Sequence, residues 1–178
     1  RTWQPAQTIA HRGPRIEGNP RKKSGGEHEQ TVNNPVAIVD QATGAIEFLY
    51  CINYARCFSM RSTDDGVTWS NPVDITATFE PLRRHYDWKV LATGPGHGIQ
   101  LTRGPHAGRL IIPFNEGPFW KWQNFAVVSD DRGKTWRCGE NVPGAFVADA
   151  KIGERSQINE VQMVELSDGS VRLNSRPF

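Results

Sequence analysis

Ser62-Thr63-Asp64-Asp65-Gly66-Val67-Thr68-Trp69 returns 67 residues later as Ser129-Asp130-Asp131-Arg132-Gly133-Lys134-Thr135-Trp136. Both copies share the pattern S-x-D-x-G-x-T-W. Going back 66 residues from Val67-Thr68-Trp69 reaches Arg1-Thr2-Trp3, which reads as the tail of a third copy whose Ser, Asp and Gly lie upstream. The expectation is a fragment of a longer repeat protein. The motif has a physical reading. An Asp side chain accepts hydrogen bonds from backbone N–H groups in a tight turn, the Gly supplies a positive φ, and the Trp begins the next strand and buries a large ring between neighbouring sheets. Ser62, Asp64, Gly66 and Trp69, with Ser129, Asp131, Gly133 and Trp136, are therefore expected to be structural.

Working outward from the two boxes, strands are expected at 3–10, 36–40, 45–53, 57–63 and 70–76, then at 98–101, 109–114 and 125–129, and finally at 160–166 and 170–174. Each unit has four strands with the box between the third and fourth. That predicts an all-β chain of about three four-stranded antiparallel blades, the architecture of a β-propeller. Antiparallel strands alternate in direction, so the box turns share one face with the short turns 41–44, 103–108 and 167–169. The longer connections 11–34, 80–97, 115–124 and 149–159 fall on the opposite face, which is expected to be the working one.

Composition agrees. Of 178 residues, 17 are Gly, 12 are Pro and 6 are Trp, and runs of helix formers are scarce. The formal net charge of +2 gives no argument for a nucleic-acid partner, and no apolar run approaches the roughly 20 residues of a transmembrane helix. Three cysteines do not make a disulfide scaffold. Cys51 and Cys57 flank a hairpin loop and can face each other, either as two free thiols or as a strained cross-strand bridge.

Glu160 and Arg176 are the most informative pair. The turn between their strands centres near Asp168, so the two sit opposite each other at the long-loop end of an innermost hairpin. Spacing alone fits either an ordinary cross-strand ion pair, worth about 0.2–1 kcal/mol, or charged groups at the mouth of a channel.

The boxes, Asn34-Pro-Val-Ala-Ile-Val-Asp40, Thr93-Gly-Pro-Gly-His-Gly-Ile-Gln-Leu101, and Asn159-Glu-Val-Gln-Met-Val-Glu-Leu-Ser-Asp-Gly169 with Leu173-Asn-Ser-Arg176 together resemble the bacterial-type exo-α-sialidases, over essentially the whole chain. The resemblance implies a six-bladed propeller of which residues 1–178 are a central part. It also implies hydrolysis of terminal α-linked sialic acid from sialylated glycans, without a cofactor or metal, in a secreted or periplasmic setting. In that family three arginines clamp the substrate carboxylate, a tyrosine activated by a glutamate is the nucleophile, and an aspartate is the acid/base. By match, Glu160 is the tyrosine's partner and Arg176 one arginine of the clamp. The residue types suit the chemistry. Sialic acid carries a carboxylate on its anomeric carbon, which repels a carboxylate nucleophile but not a neutral phenol. The phenol needs a nearby base, and a guanidinium fork fits a planar carboxylate. The first arginine and the acid/base aspartate are expected upstream, and the third arginine and the tyrosine downstream. Tyr50, Tyr54 and Tyr86 lie in the wrong blades to be the nucleophile, so the isolated chain is expected not to turn over substrate.

Other residues carry weaker signals. Trp120 and Trp122 offer aromatic platforms for a sugar, or loop packing. Tyr54 and Arg56, at the tip of the Cys51–Cys57 hairpin, are candidate substrate contacts. His97 is expected in a structural turn. Arg21-Lys-Lys23 and Glu27-His-Glu29 read as a solvated loop, without zinc-ligand spacing. Two rival functions remain at this level: a non-catalytic Asp-box propeller that binds carbohydrate or protein, and a propeller glycosidase with another sugar specificity.

Overall fold

The computed structural model describes residues 3, 5–10, 31–84, 90–117, 123–140, 142 and 158–177. The fold is all-β. A first sheet contains β1 (Val32–Val39), β2 (Ile46–Ile52), β3 (Arg56–Ser62) and β4 (Val73–Asp74), antiparallel in the order β4-β3-β2-β1. A nine-residue 3-10 helix, Thr76–Arg84, leads to the second sheet. That sheet contains β5 (Val90–Thr93), β7 (Ile99–Gln100), β8 (Leu110–Gly117), β9 (Gln123–Ser129) and β10 (Arg137–Cys138), while β6 (Gly96–His97), between β5 and β7 in the chain, joins the first sheet beside β1. The third is a hairpin of β11 (Ile158–Glu165) and β12 (Val171–Pro177).

Several expectations are corrected. Residue 3 and residues 5–10 form no strand, and Trp3 is fully exposed. The outer strand expected over 70–76 contracts to β4, and Trp69 precedes it rather than beginning it, whereas Trp136 directly precedes β10. Among the described residues the third sheet has two strands, β11 and β12, where two were expected over 160–166 and 170–174. The 3-10 helix was not expected. It drives Phe79 and Leu82 into the core, where Phe79 lies 5.0 Å from Phe114 and 6.0 Å from Phe125, ring centre to ring centre.

The innermost strand of the second sheet is split into three. β5 and β7 both pair with β8, but β6 leaves the sheet and pairs in parallel with β1, Val36 opposite Gly96 and Ala37 opposite His97. The Gly94–Pro95 peptide bond within this excursion is cis. On its other side the excursion touches the third sheet: Val161 N donates to Gly94 O at 2.9 Å, and the Gln162 amide donates to Pro95 O. Gly96 has a φ of 130°, a conformation that favours glycine, and a β-carbon on it would fall 1.8 Å from Gln162 Nε2. His97 thus lies in a two-residue strand at a joint between sheets rather than in a turn.

Period-two alternation divides each central strand between two cores. Leu49 and Cys51 of β2 join Leu110, Ile112 and Phe114 of β8 between the first two sheets. Ile111 and Val128 pack with Met163 and Leu173 between the second and third. β8, buried on both faces along its length, is the middle of the described structure.

The boxes close as expected, in the same way in both copies. Ser62 Oγ donates to Asp64 Oδ1 and accepts from Gly66 N, and Thr68 donates to Asp64 through both its amide and its hydroxyl, at 2.6–2.9 Å. Ser129, Asp131, Gly133 and Thr135 repeat these four bonds at 2.6–2.9 Å. Bonds from the Thr68 hydroxyl and amide and from Ser62 hold the Asp64 carboxyl below its ordinary range. Trp69 packs edge-on against Phe48 at 5.5 Å, and Trp136 packs on the core between the first two sheets.

Candidate active site

The two ends of the sheets differ in character. At the box end, polar clasps join neighbouring sheets. Arg61 Nη1 donates to Glu47 Oε1 at 2.6 Å and to Arg132 O at 2.7 Å. Gln100 Nε2 donates to the buried Asp40 at 2.9 Å. Glu165 accepts from the amides of Thr102 and Arg103 and from the Thr102 hydroxyl, and these bonds pull its carboxyl below the ordinary range.

At the opposite end, Arg176 Nε donates to Glu160 Oε2 at 2.5 Å. Both side chains are about half exposed, 46% for Glu160 and 54% for Arg176. The β11–β12 register slips here: Ile158 faces Pro177 and Val161 faces Ser175, so Asn159 and Glu160 together oppose Arg176. This is a β-bulge, which bends a strand and re-aims its side chains. The first sheet has a bulge at the matching place. Asn33 faces Cys51 and Val36 faces Leu49, leaving Asn34 and Pro35 opposite Tyr50. An exposed ion pair contributes about 0–1 kcal/mol, so the pair is a poor stabiliser. It is an acceptor and a planar cationic fork held side by side at the end of the sheets away from the boxes.

The residues around this pair were not singled out from sequence. Asn115 and Asn124 face each other across β8 and β9 and are buried. The Asn115 amide donates to the buried Asn159. Asn124 lies 2.8 Å from Ser175 Oγ, and the amide orientation that satisfies both its ends also has it donating to Asn159 O at 3.1 Å. Nearby, Asn34 Nδ2 donates to Thr93 O at 2.9 Å, and the Thr93 hydroxyl donates to Asn34 O. Glu116, next to Asn115, is buried as well. Burial, then the Glu116 charge, pushes the Cys138 thiol up to about 12. The available signal was asparagine at strand ends where an apolar alternation would place another aliphatic residue.

The remaining candidates are placed as follows. Tyr54 caps the β2–β3 turn, where Asn53 and Tyr54 both have positive φ, and its carbonyl accepts from Leu91 N at 2.8 Å. It is part of a joint between the first two sheets. Arg56 is engaged with Asp74 on β4, with Nε at 2.9 Å, and lies over the Phe58 ring at 4.9 Å. Both Arg56 partners belong to β3 and β4 rather than to the third sheet. Trp120 and Trp122 lie outside the described residues, as do Tyr86, Arg21-Lys-Lys23 and His28. Cys51 and Cys57 are register partners, buried, with free thiols. Among the described residues, no group of three His, Cys, Asp or Glu side chains is arranged to hold a metal ion, and no helix is long and apolar enough to cross a membrane.

Comparison with known proteins adds an independent line. The model of the BNR repeat-like domain matches residues 1–177. A sialidase of Micromonospora viridifaciens is 44% identical over 119 residues, covering 65% of this chain and 16% of that protein. Sialidase-4 of Homo sapiens is 33% identical over 120 residues, covering 61% of this chain and 24% of its own length. Sialidase-2 of Mus musculus is 36% identical over 136 residues, covering 71% and 32%. Among solved structures, a Hadza microbial sialidase superposes with a TM-score of 0.66 at 24% identity, covering 87% of this chain and 30% of that one, a likeness of fold. The intramolecular trans-sialidase from Ruminococcus gnavus, in complex with oseltamivir carboxylate, gives a TM-score of 0.51 at 31% identity over 72% of this chain and 23% of that one. The chain therefore spans 16–32% of the length of these three curated relatives.

Proposed function

The chain belongs to the BNR repeat-like domain family, and from that premise we propose that the whole protein is an exo-α-sialidase that releases terminal α-linked sialic acid from glycoconjugates, with residues 1–178 forming part of its propeller. The observation that carries this reading is the Glu160–Arg176 pair, set on a bulged hairpin at the end of the sheets opposite the boxes. Similarity to named sialidases supports the substrate class.

In this reading Arg176 is one member of the clamp on the substrate carboxylate. Its planar fork offers parallel N–H donors to two oxygens, and a lysine would offer only a point charge. Glu160 takes the proton of the nucleophilic phenol. A neutral tyrosine approaches the anomeric centre without the charge repulsion that a carboxylate would meet from the substrate's own carboxylate. The tyrosine, the other two arginines and the acid/base aspartate are supplied by other parts of the protein.

The test uses the whole protein and a fluorogenic α-sialoside, with aryl glycosides of other sugars as controls. Release from the sialoside alone, reduced at least about 100-fold by Glu160→Gln, is the expected result. Activity unchanged by Glu160→Gln and by Arg176→Ala sinks the assignment.

A further inference from the structure

Glu160 itself is bonded to Arg176 of its own hairpin, while the residues that flank the two are gripped from the neighbouring sheet. Asn159, before it, accepts from the Asn115 side chain. Val161, after it, donates its backbone N–H to Gly94 O at 2.9 Å. Gln162 donates its side-chain amide to Pro95 O. Ser175, before Arg176, lies 2.8 Å from Asn124. All four anchors belong to the second sheet or to the excursion from its innermost strand. On the hairpin itself the ladder is interrupted here, because the bulge leaves Asn159 and Glu160 sharing one opposite residue. A bulged residue has lost part of its own strand's guidance, so its aim depends on what grips its neighbours.

Asn115 acts on this set through its side chain. It lies on the β8 face that also carries Ile111, which packs towards the third sheet. It is 2% exposed, and its Oδ1 has no hydrogen-bond partner among the described residues. A buried amide with only part of its hydrogen-bonding capacity used is costly, and an aliphatic residue would pack there more favourably. Its amide N–H reaches across the gap between sheets to the residue beside Glu160.

We propose that Asn115 is a positioning residue that fixes the direction of Glu160 through Asn159. This rests on the reading of Glu160 as the base that activates the nucleophile. Replacing the Asn115 amide with an apolar group of similar size leaves the β8 backbone paired and removes the grip on the bulge. The carboxylate then samples orientations in which it no longer meets the phenol, so the chemical step slows while substrate binding is little changed.

The experiment is a double-mutant cycle in the whole protein, using an activated aryl sialoside so that low rates remain measurable. Asn115→Leu is expected to lower kcat by about 10–100-fold with KM within about threefold. In a Glu160→Gln background the same substitution is expected to change kcat by less than about twofold, because the group it positions is already gone. Equal fold-losses in both backgrounds, or a loss confined to KM, overturn the proposal. Thermal unfolding of each variant shows whether it is folded, and Asn115→Ser, judged by the same criteria, replaces Asn115→Leu if that variant does not fold. Glu160→Gln with undiminished kcat overturns the reading of Glu160 itself, and the proposal with it.

Discussion

Glu47 of the first sheet lies beneath Gly133 in the second sheet's box, so close that a β-carbon on Gly133 would fall 2.3 Å from Glu47 Cδ. Gly66, at the same place in the other box, has its nearest neighbour, a ring atom of Trp69, 3.6 Å from such a carbon. The two glycines share a left-handed φ, 84° and 81°. Alanine at Gly66 is therefore expected to cost about 1–2 kcal/mol of backbone strain, and alanine at Gly133 that amount plus about 1–3 kcal/mol of overpacking. Urea unfolding of the two variants side by side separates the contributions. Equal losses would show that Glu47 moves aside at no cost.

Glu47 also gives the stability a pH dependence. Burial raises its carboxyl to about 7, against the opposing effect of Arg61, with Asp40 and Asp131 adding further upward pressure. A folded-state value above the unfolded 4.5 means that the folded protein holds the proton more tightly. This contribution is fully present below about pH 4.5 and is lost as pH rises to about 7. On the order of 1–3 kcal/mol is at stake. Glu47→Gln is expected to flatten that part of the curve in denaturant titrations between pH 5 and pH 8. An unchanged slope would remove Glu47 as its source.

Ser129→Ala breaks two bonds of the box, to Gly133 N and Asp131, at a buried position. The expected loss is about 1–2 kcal/mol in stability, with kcat and KM of the whole protein unaltered because the box lies at the end of the sheets away from Glu160. A selective fall in kcat would contradict that separation of roles.

The three thiols are expected to be inert in the folded protein. Cys51 and Cys57 are buried between sheets, and burial drives the Cys57 thiol well above its ordinary range. Cys138 is pushed up to about 12. A thiolate is the reacting species, so an aromatic disulfide reagent at pH 8 is expected to label none within minutes and all three after denaturation. Rapid labelling of one site in the native protein would show that its sheet opens readily.

Arg176→Lys tests the fork against the charge. Because lysine cannot present two coplanar donors, kcat/KM for a sialoside is expected to fall by about 10–100-fold, a cost of about 1.4–2.7 kcal/mol in transition-state stabilisation. Retention of full activity would place the carboxylate recognition elsewhere.

The sequence made the central strands, the two boxes and the Glu160–Arg176 pairing legible because each follows from local rules. Alternation names the strands, the S-x-D-x-G-x-T-W pattern names its own hydrogen bonds, and a hairpin centred near Asp168 sets 160 against 176 by counting. What stayed hidden depends on partners far along the chain. Phe79 and Leu82 sit in a Pro81-containing 3-10 segment too short to show a helical period. The three-part innermost strand requires knowing that Gly96 meets Val36 on one side and Gln162 on the other. Asn115 and Asn124 read as loop-edge polar residues until their partners, 44 and 51 residues away, are in view.

The bulged hairpin has a consequence for engineering. Glu160 and Arg176 are only 16 positions apart and meet on one strand–turn–strand unit. That unit could be transplanted onto another scaffold with both charges intact. What would not travel is the surface of the second sheet, with Gly94, Pro95, Asn115 and Asn124, that steers them. A host for this hairpin would need one neighbouring surface that offers both a backbone ledge like Gly94–Pro95 and two amides like Asn115 and Asn124 before the borrowed pair pointed anywhere useful.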